Sequence, residues 1–135
     1  MFPWPIDLSA IECAEVALRI RLPEPYRHGM ARANGGEVMA FGLPWELCTF
    51  RDDTNRRRLA RTWDDIVRVT FAHLEIGGFP EGAVVLAAVD GNALILRREP
   101  GNPEVLKDEV WAWWGDGAHS ILAFESTRAL IEARS

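Results

Sequence analysis

Apolar residues recur along the chain with two different periods, and the changes of period mark out its elements. Leu8, Ile11, Val16, Leu18 and Ile20 form a broad stripe that predicts a helix over residues 8–20. Asp7 or Ser9 caps its start, and Pro23 ends the segment because proline disfavours helical geometry in the residue before it. A short helix fits residues 24–33, with Pro23 and Pro25 at its first positions and Tyr26 and Met30 on one face. Asn34-Gly35-Gly36 closes it with residue types that tolerate the left-handed conformation. The clearest helical period runs over residues 63–75, where Trp63, Ile66, Val67, Thr70, Phe71 and Leu74 share a face. Thr62 caps that helix, Asp64 and Asp65 occupy its first turn, and Gly77-Gly78 stops it. This reading places Trp63 in the core.

Between the helices the period falls to two. Val38–Phe41 and Trp45–Phe50 read as strands around a turn at Gly42-Leu43-Pro44. Val84–Val89 is apolar on both faces, which predicts a central strand, and Asp90-Gly91-Asn92 turns it into Leu94–Arg98. A Pro/Gly/Asn loop follows at 100–103. A strand over residues 109–114 sets Val110, Ala112 and Trp114 against Trp111 and Trp113. The last helix is predicted over 120–133, with Ser120 as cap and Ala123, Leu130 and Ile131 on its inner face. Residues 51–61 have no period and read as an Arg-rich loop. The order is helices, two strands, helix, three strands, helix. That order predicts an α+β class, one domain over residues 1–135, with a mainly antiparallel sheet of about five strands.

Composition narrows the function. The 135 residues are 48% apolar and 26% charged, enough for a real core in one domain. The net charge is −5; residues 1–67 carry −1 and residues 68–135 carry −4. A nucleic-acid backbone repels such a chain and a basic protein does not. Cys13 and Cys48 lack CxxC spacing and read as buried free thiols of a reducing compartment. Met1-Phe2-Pro3-Trp4-Pro5 lacks the basic and apolar regions of a secretory signal, and no apolar run approaches a membrane span. The expected location is the cytoplasm.

Catalytic and metal-binding patterns do not emerge. His28, His73 and His119 are scattered, without ligand spacing. Asp52-Asp53 and Asp64-Asp65 are adjacent pairs, and the second already serves a helix start. No nucleophile elbow or phosphate loop occurs. No cofactor and no metal are expected, nor is enzymatic activity. Two surfaces remain as binding candidates. Glu99, Glu104, Asp108, Glu109 and Asp116 form an acidic stretch in which Trp111 or Trp113, on the outer face of its strand, serves as an anchor. The competing reading covers that face with a helix. Arg56, Arg57, Arg58 and Arg61 form a basic patch for an acidic protein or RNA, and the competing reading there is a solvated loop.

Leu22-Pro23-Glu24-Pro25-Tyr26 followed by Asn34-Gly35-Gly36, then Phe79-Pro80-Glu81-Gly82 at a helix-to-strand junction, resembles the SUKH superfamily of SMI/KNR-like proteins. Val110-Trp111-Ala112-Trp113-Trp114-Gly115-Asp116 is similar to that family's aromatic strand, and the resemblance covers about residues 8–133. It implies a twisted sheet with helices packed on it and no catalysis. It also implies a bacterial immunity protein that binds and neutralises a toxin, often a nuclease, of a contact-dependent or polymorphic toxin system. A fungal branch of the family regulates cell-wall synthesis. An acidic chain suits a basic toxin as partner. The alternative is a small regulatory or scaffold domain that works through the Arg-rich segment. Neither reading sets an oligomeric state.

Overall fold

Capping side chains decide where most of the helices begin. In a computed structural model describing residues 3–135, helix α1 (Leu8–Leu18) starts at Asp7, whose carboxylate accepts from the Ser9 N–H. It ends at Arg19, which adopts a left-handed conformation at φ 57°. Met1 and Phe2, the first residues of the stretch read for a leader, lie outside the described residues. Ile11, Ala14 and Leu18 are buried at helical spacing, while Val16, assigned to the same stripe from sequence, is 77% exposed. Helix α2 (Glu24–Arg32) begins at Pro23 with Pro25 in its first turn and buries Tyr26 and Met30, as the pattern predicts.

Ten further elements follow before the last helix. Strands β1 (Glu37–Ala40) and β2 (Leu43–Leu47) make a hairpin. Helix α3 (Arg56–Arg61) and helix α4 (Ile66–Leu74) come next. Strands β3 (Val84–Val89) and β4 (Asn92–Leu96) form the predicted central hairpin. A small hairpin of β5 (Arg98–Glu99) and β6 (Asn102–Leu106) leads to β7 (Val110–Trp114) and β8 (His119–Phe124). Helix α5 (Thr127–Glu132) closes the chain. The main sheet is fully antiparallel, with six strands in the order β1-β2-β3-β4-β7-β8. The class is α+β, as expected; the main sheet has one strand more than the five the sequence suggested, and the β5–β6 hairpin adds two outside it.

Register divides the sheet into two faces, because paired residues project to the same side. Leu47, Ala87, Leu94 and Ala112 run across one face, and Glu46, Ala88, Ala93 and Trp113 across the other. On the first face Trp114 meets Trp45 at 5.7 Å and Phe41 at 5.4 Å, edge to face. Phe41 belongs to the β1–β2 turn, so the first hairpin curls over β7. On the second face Phe79, beyond the end of α4, packs on Trp113 at 5.0 Å.

Four local readings change. The Arg-rich segment contains helix α3 in place of a loop, since Asn55 caps it by accepting from the Arg58 N–H at 2.9 Å. Helix α4 starts at Ile66, not Trp63, because Asp65 is its cap and accepts from the Arg68 N–H at 3.0 Å. Thr62 terminates α3 instead, and Trp63 falls between two helices, 60% exposed, outside the core. Phe71 and Leu74 are also exposed. Residues 119–124, predicted as the first turns of the last helix, pair with β7 as a strand, and Ser126 caps the shortened α5. The backbone groups of Trp111–Trp114 recruit that segment, and helix propensity yields to the pairing. Finally, Cys48 is buried but Cys13 is exposed.

Two arginines close the fold on the two glycine motifs. Arg134 donates to the main-chain carbonyls of Gly29, Ala33 and Gly35 at 2.7–3.1 Å, satisfying the end of α2. A Cβ on Gly36, at φ 110°, would stand 2.9 Å from Arg134 Cδ. Arg98 donates to Leu18, Arg19, Gly82 and Pro103 carbonyls, tying the end of α1 to the β5–β6 turn. Gly82, at φ 71°, lies equally close beneath it. Both glycines thus make room for an arginine as well as for a turn.

Candidate partner-binding surface

Glu37 and Glu46 are register partners on the outermost pair of strands, so both carboxylates project from one face of the sheet. Ala88 lies beside Glu46 on β3 and keeps that face low. The segment joining α3 to α4 crosses above it, held by the Ile66 N–H donating to the Thr49 carbonyl at 2.7 Å. The result is a groove of about 660 Å³ with Glu37, Glu46 and Ala88 on one side and Arg61, Trp63 and Asp64 on the other. Trp63 is the most exposed tryptophan whose structure is described. Arg68 stacks its guanidinium 4.7 Å from the indole centroid and reaches Asp64 at 3.4 Å, which holds the ring outward.

The groove is electrostatically negative at its floor. Cys48 sits there, buried, with its thiol pushed up to about 12. Burial is the first cause, and the fields of Asp64, Asp65 and Glu46 add to it. An acidic groove with a large exposed aromatic can take a cationic side chain, pairing its charge with carboxylates and stacking its stem on indole.

The sequence-predicted acidic stretch does not form one surface. Glu99 lies in β5, half-buried, and Glu104 in β6, exposed. They line two neighbouring depressions beside α1, the first of which also holds Glu81, Phe71, Pro100 and Pro103. Asp108 is engaged within the fold, accepting from Thr127 Oγ1 at 2.5 Å and from the Thr127 N–H at 3.1 Å. Glu109 precedes β7 and Asp116 follows it, so they stand at opposite ends of that strand. Trp113 is 2% exposed and cannot anchor a partner: Phe79 covers it, from the loop after α4 and not from a helix. Trp111 is half-buried under the Arg97 guanidinium at 4.5 Å.

The basic patch is drawn inward in part. Arg57 and Arg58 stack on Trp4 at 5.6 and 5.0 Å, and Arg58 lies 3.6 Å from the buried Asp52 carboxylate. Arg61 lines the acidic groove. Arg56 is exposed.

The histidines lie on separate elements. His28 Nε2 is 2.9 Å from Glu24, but on an exposed turn where Arg21 holds the same carboxylate at 2.6 Å. The Arg21 hydrogen bond keeps Glu24 below the usual carboxylate range. His73 Nδ1 is 2.9 Å from the Val69 carbonyl, and His119 is exposed. Among the described residues no group of three or more His, Cys, Asp or Glu side chains is arranged to hold a metal. No helix among them is long and apolar enough to cross a membrane.

Periodicity alone misplaces Trp63, since it stands three residues before Ile66 and fits the stripe. The signal that finds it is Asp65 three residues before Arg68, a cap two residues beyond the tryptophan that starts the helix at Ile66.

The family model described as "SMI1 / KNR4 family (SUKH-1)" matches residues 5–133. No curated protein and no solved structure matches the chain.

Proposed function

The chain belongs to the SMI1 / KNR4 family (SUKH-1), and from that premise we propose that it is a non-catalytic protein-binding module, a cytoplasmic immunity protein that neutralises a basic toxin domain. One observation carries this reading: the exposed Trp63 rises from a groove whose other lining side chains include Glu37, Glu46 and Asp64. Exposed tryptophans are favoured anchors of protein interfaces, and carboxylates around one select a cationic partner and speed its approach. The net charge of −5 acts in the same direction over longer range.

The test is co-expression with a basic nuclease toxin domain, reading growth and co-purification. The chain rescues growth and binds the domain, and Trp63→Ala and Glu46→Lys lose both while remaining folded. As an interface anchor, Trp63 is worth about 2 kcal/mol or more, roughly a 25-fold loss of affinity on truncation. A toxin neutralised equally well by both variants removes the groove from the interface. Tight binding to RNA with a steep salt dependence, lost in Arg56→Ala, transfers the function to α3.

A further inference from the structure

The two outer strands of the main sheet are β1 and β8, and they are finished differently. Beside β1 the chain's last described residue returns, its Ser135 N–H donating to the Glu37 carbonyl at 3.0 Å. Among the described residues, no returning segment hydrogen-bonds to the outer side of β8, and every hydrogen bond to His119–Phe124 from another strand comes from β7. An edge strand directs half its peptide groups away from its partner, so β8 presents a row of unpaired donors and acceptors.

Proteins blunt such edges with charge, proline, bulges or a covering segment. The stretch His119-Ser120-Ile121-Leu122-Ala123-Phe124 holds no Asp, Glu, Lys, Arg or Pro. Its pairing with β7 is regular from Trp111 to Trp114, the one shift lying at the Val110 end. Ile121 and Leu122 project to opposite faces and are 45% and 41% exposed. What completes this edge is therefore another extended backbone, flanked by apolar and not by charged side chains.

We propose that β8 is a self-association edge, at which a second copy of this chain adds its own β8 antiparallel and joins the two six-stranded sheets. Net charge opposes self-association over the surface as a whole and spares this uncharged edge. Two chains of net charge −5 repel, and a neutral strand is where they can meet. A cationic strand gains no charge pairing from an uncharged one. Side-chain parity allows a two-fold axis at Ile121 or at Leu122. About Leu122, His119 faces Glu125 of the second copy; about Ile121, Gly117 faces Glu125. Neither register opposes like charges. One contact completes both edges at once, and it leaves the Trp63 groove unused, so its failure is independent of the partner-binding reading.

Sedimentation of the full chain tests it. The wild type sediments as a dimer with a Kd below about 1 mM, the weakest association the assay resolves. Leu122→Lys, at an exposed side chain, halves the mass while the circular dichroism spectrum is unchanged. A wild type that stays monomeric overturns the proposal, as does a dimer that Leu122→Lys leaves intact. Should Leu122→Lys fail to fold, cross-linking decides, in a Cys13→Ser background because Cys13 is exposed. Facing residues of an antiparallel pair lie roughly 4.5–5.5 Å apart at Cα, within disulfide reach. Oxidation of Leu122→Cys or Ile121→Cys then yields a covalent dimer, and no dimer from either overturns the proposal.

Discussion

The Asn34 side chain pairs with the Phe50 main chain as a neighbouring strand would. Its Nδ2 donates to the Phe50 carbonyl at 2.8 Å, and the Phe50 N–H donates back to Oδ1 at 2.7 Å. Both residues are buried, and Asn34 also donates its own N–H to the Trp4 carbonyl at 2.8 Å. One residue, through its side-chain amide and its own N–H, thus joins the end of α2, the N-terminal segment and the chain beyond β2.

Replacing Asn34 by Ala orphans a donor and an acceptor of Phe50 in the interior. Two lost hydrogen bonds with buried groups left unpaired cost about 2–4 kcal/mol. Urea unfolding of Asn34→Ala measures it, and a loss below about 0.5 kcal/mol, the range of neutral surface changes, contradicts the role. Asn34→Asp keeps an acceptor but loses the donor and buries a charge, so it is no milder.

Gly36 and Arg134 are coupled. Gly36→Ala forces a side chain into φ 110° and against Arg134 Cδ. Arg134→Ala removes the obstacle and also strips three carbonyl partners from the end of α2. Each single change costs about 1–3 kcal/mol. The double variant costs less than their sum, because the collision is counted in only one of them. A double-mutant cycle in denaturant reads this directly.

Glu15 and Arg27 form a buried ion pair at 3.1 Å, and the Leu22 N–H donates to the same carboxylate at 2.7 Å. Glu15→Ala leaves the Arg27 charge with only Glu24 at 3.3 Å and Glu12 at 3.9 Å, both more exposed. The expected loss is about 3–5 kcal/mol. Glu15→Leu combined with Arg27→Met removes both charges and recovers much of it in thermal unfolding.

Alkali weakens the fold through two buried groups. The Cys48 thiol is raised from 9.0 to about 12, by burial first, and burial also raises the Tyr26 hydroxyl. Between these values the unfolded chain has lost the Cys48 proton and the folded chain keeps it. Stability is therefore full below about pH 9 and falls as pH rises toward 12. Cys48→Ala flattens the first part of that fall in pH-dependent urea titrations. In the native wild type, a thiol reagent modifies Cys13 and spares Cys48.

The helix α2, the β3–β4 hairpin and the α+β class are legible in sequence because each rests on local rules: proline at a helix start, a left-handed turn at Asp90-Gly91, an apolar run too long to face water. The acidic groove is not. Its carboxylates come from positions 37, 46 and 64, and only sheet register and the crossing of the α3–α4 segment bring them together.

The sequence by itself determined the class of the fold, its central strands and the acidic balance, since these follow from periodicity, backbone preference and charge within short windows. The tertiary structure alone decided that residues 119–124 are strand and not helix, that Trp113 is covered by Phe79, and that Trp63 stands in solvent. Those outcomes depend on which distant backbone offers a partner and which face another element covers. Asn34-Gly35-Gly36 shows the division within one motif. Local chemistry marks a chain reversal after α2. Only contacts with Phe50 and Arg134, 16 and roughly 100 residues away, explain why an amide and a residue without a side chain are required there.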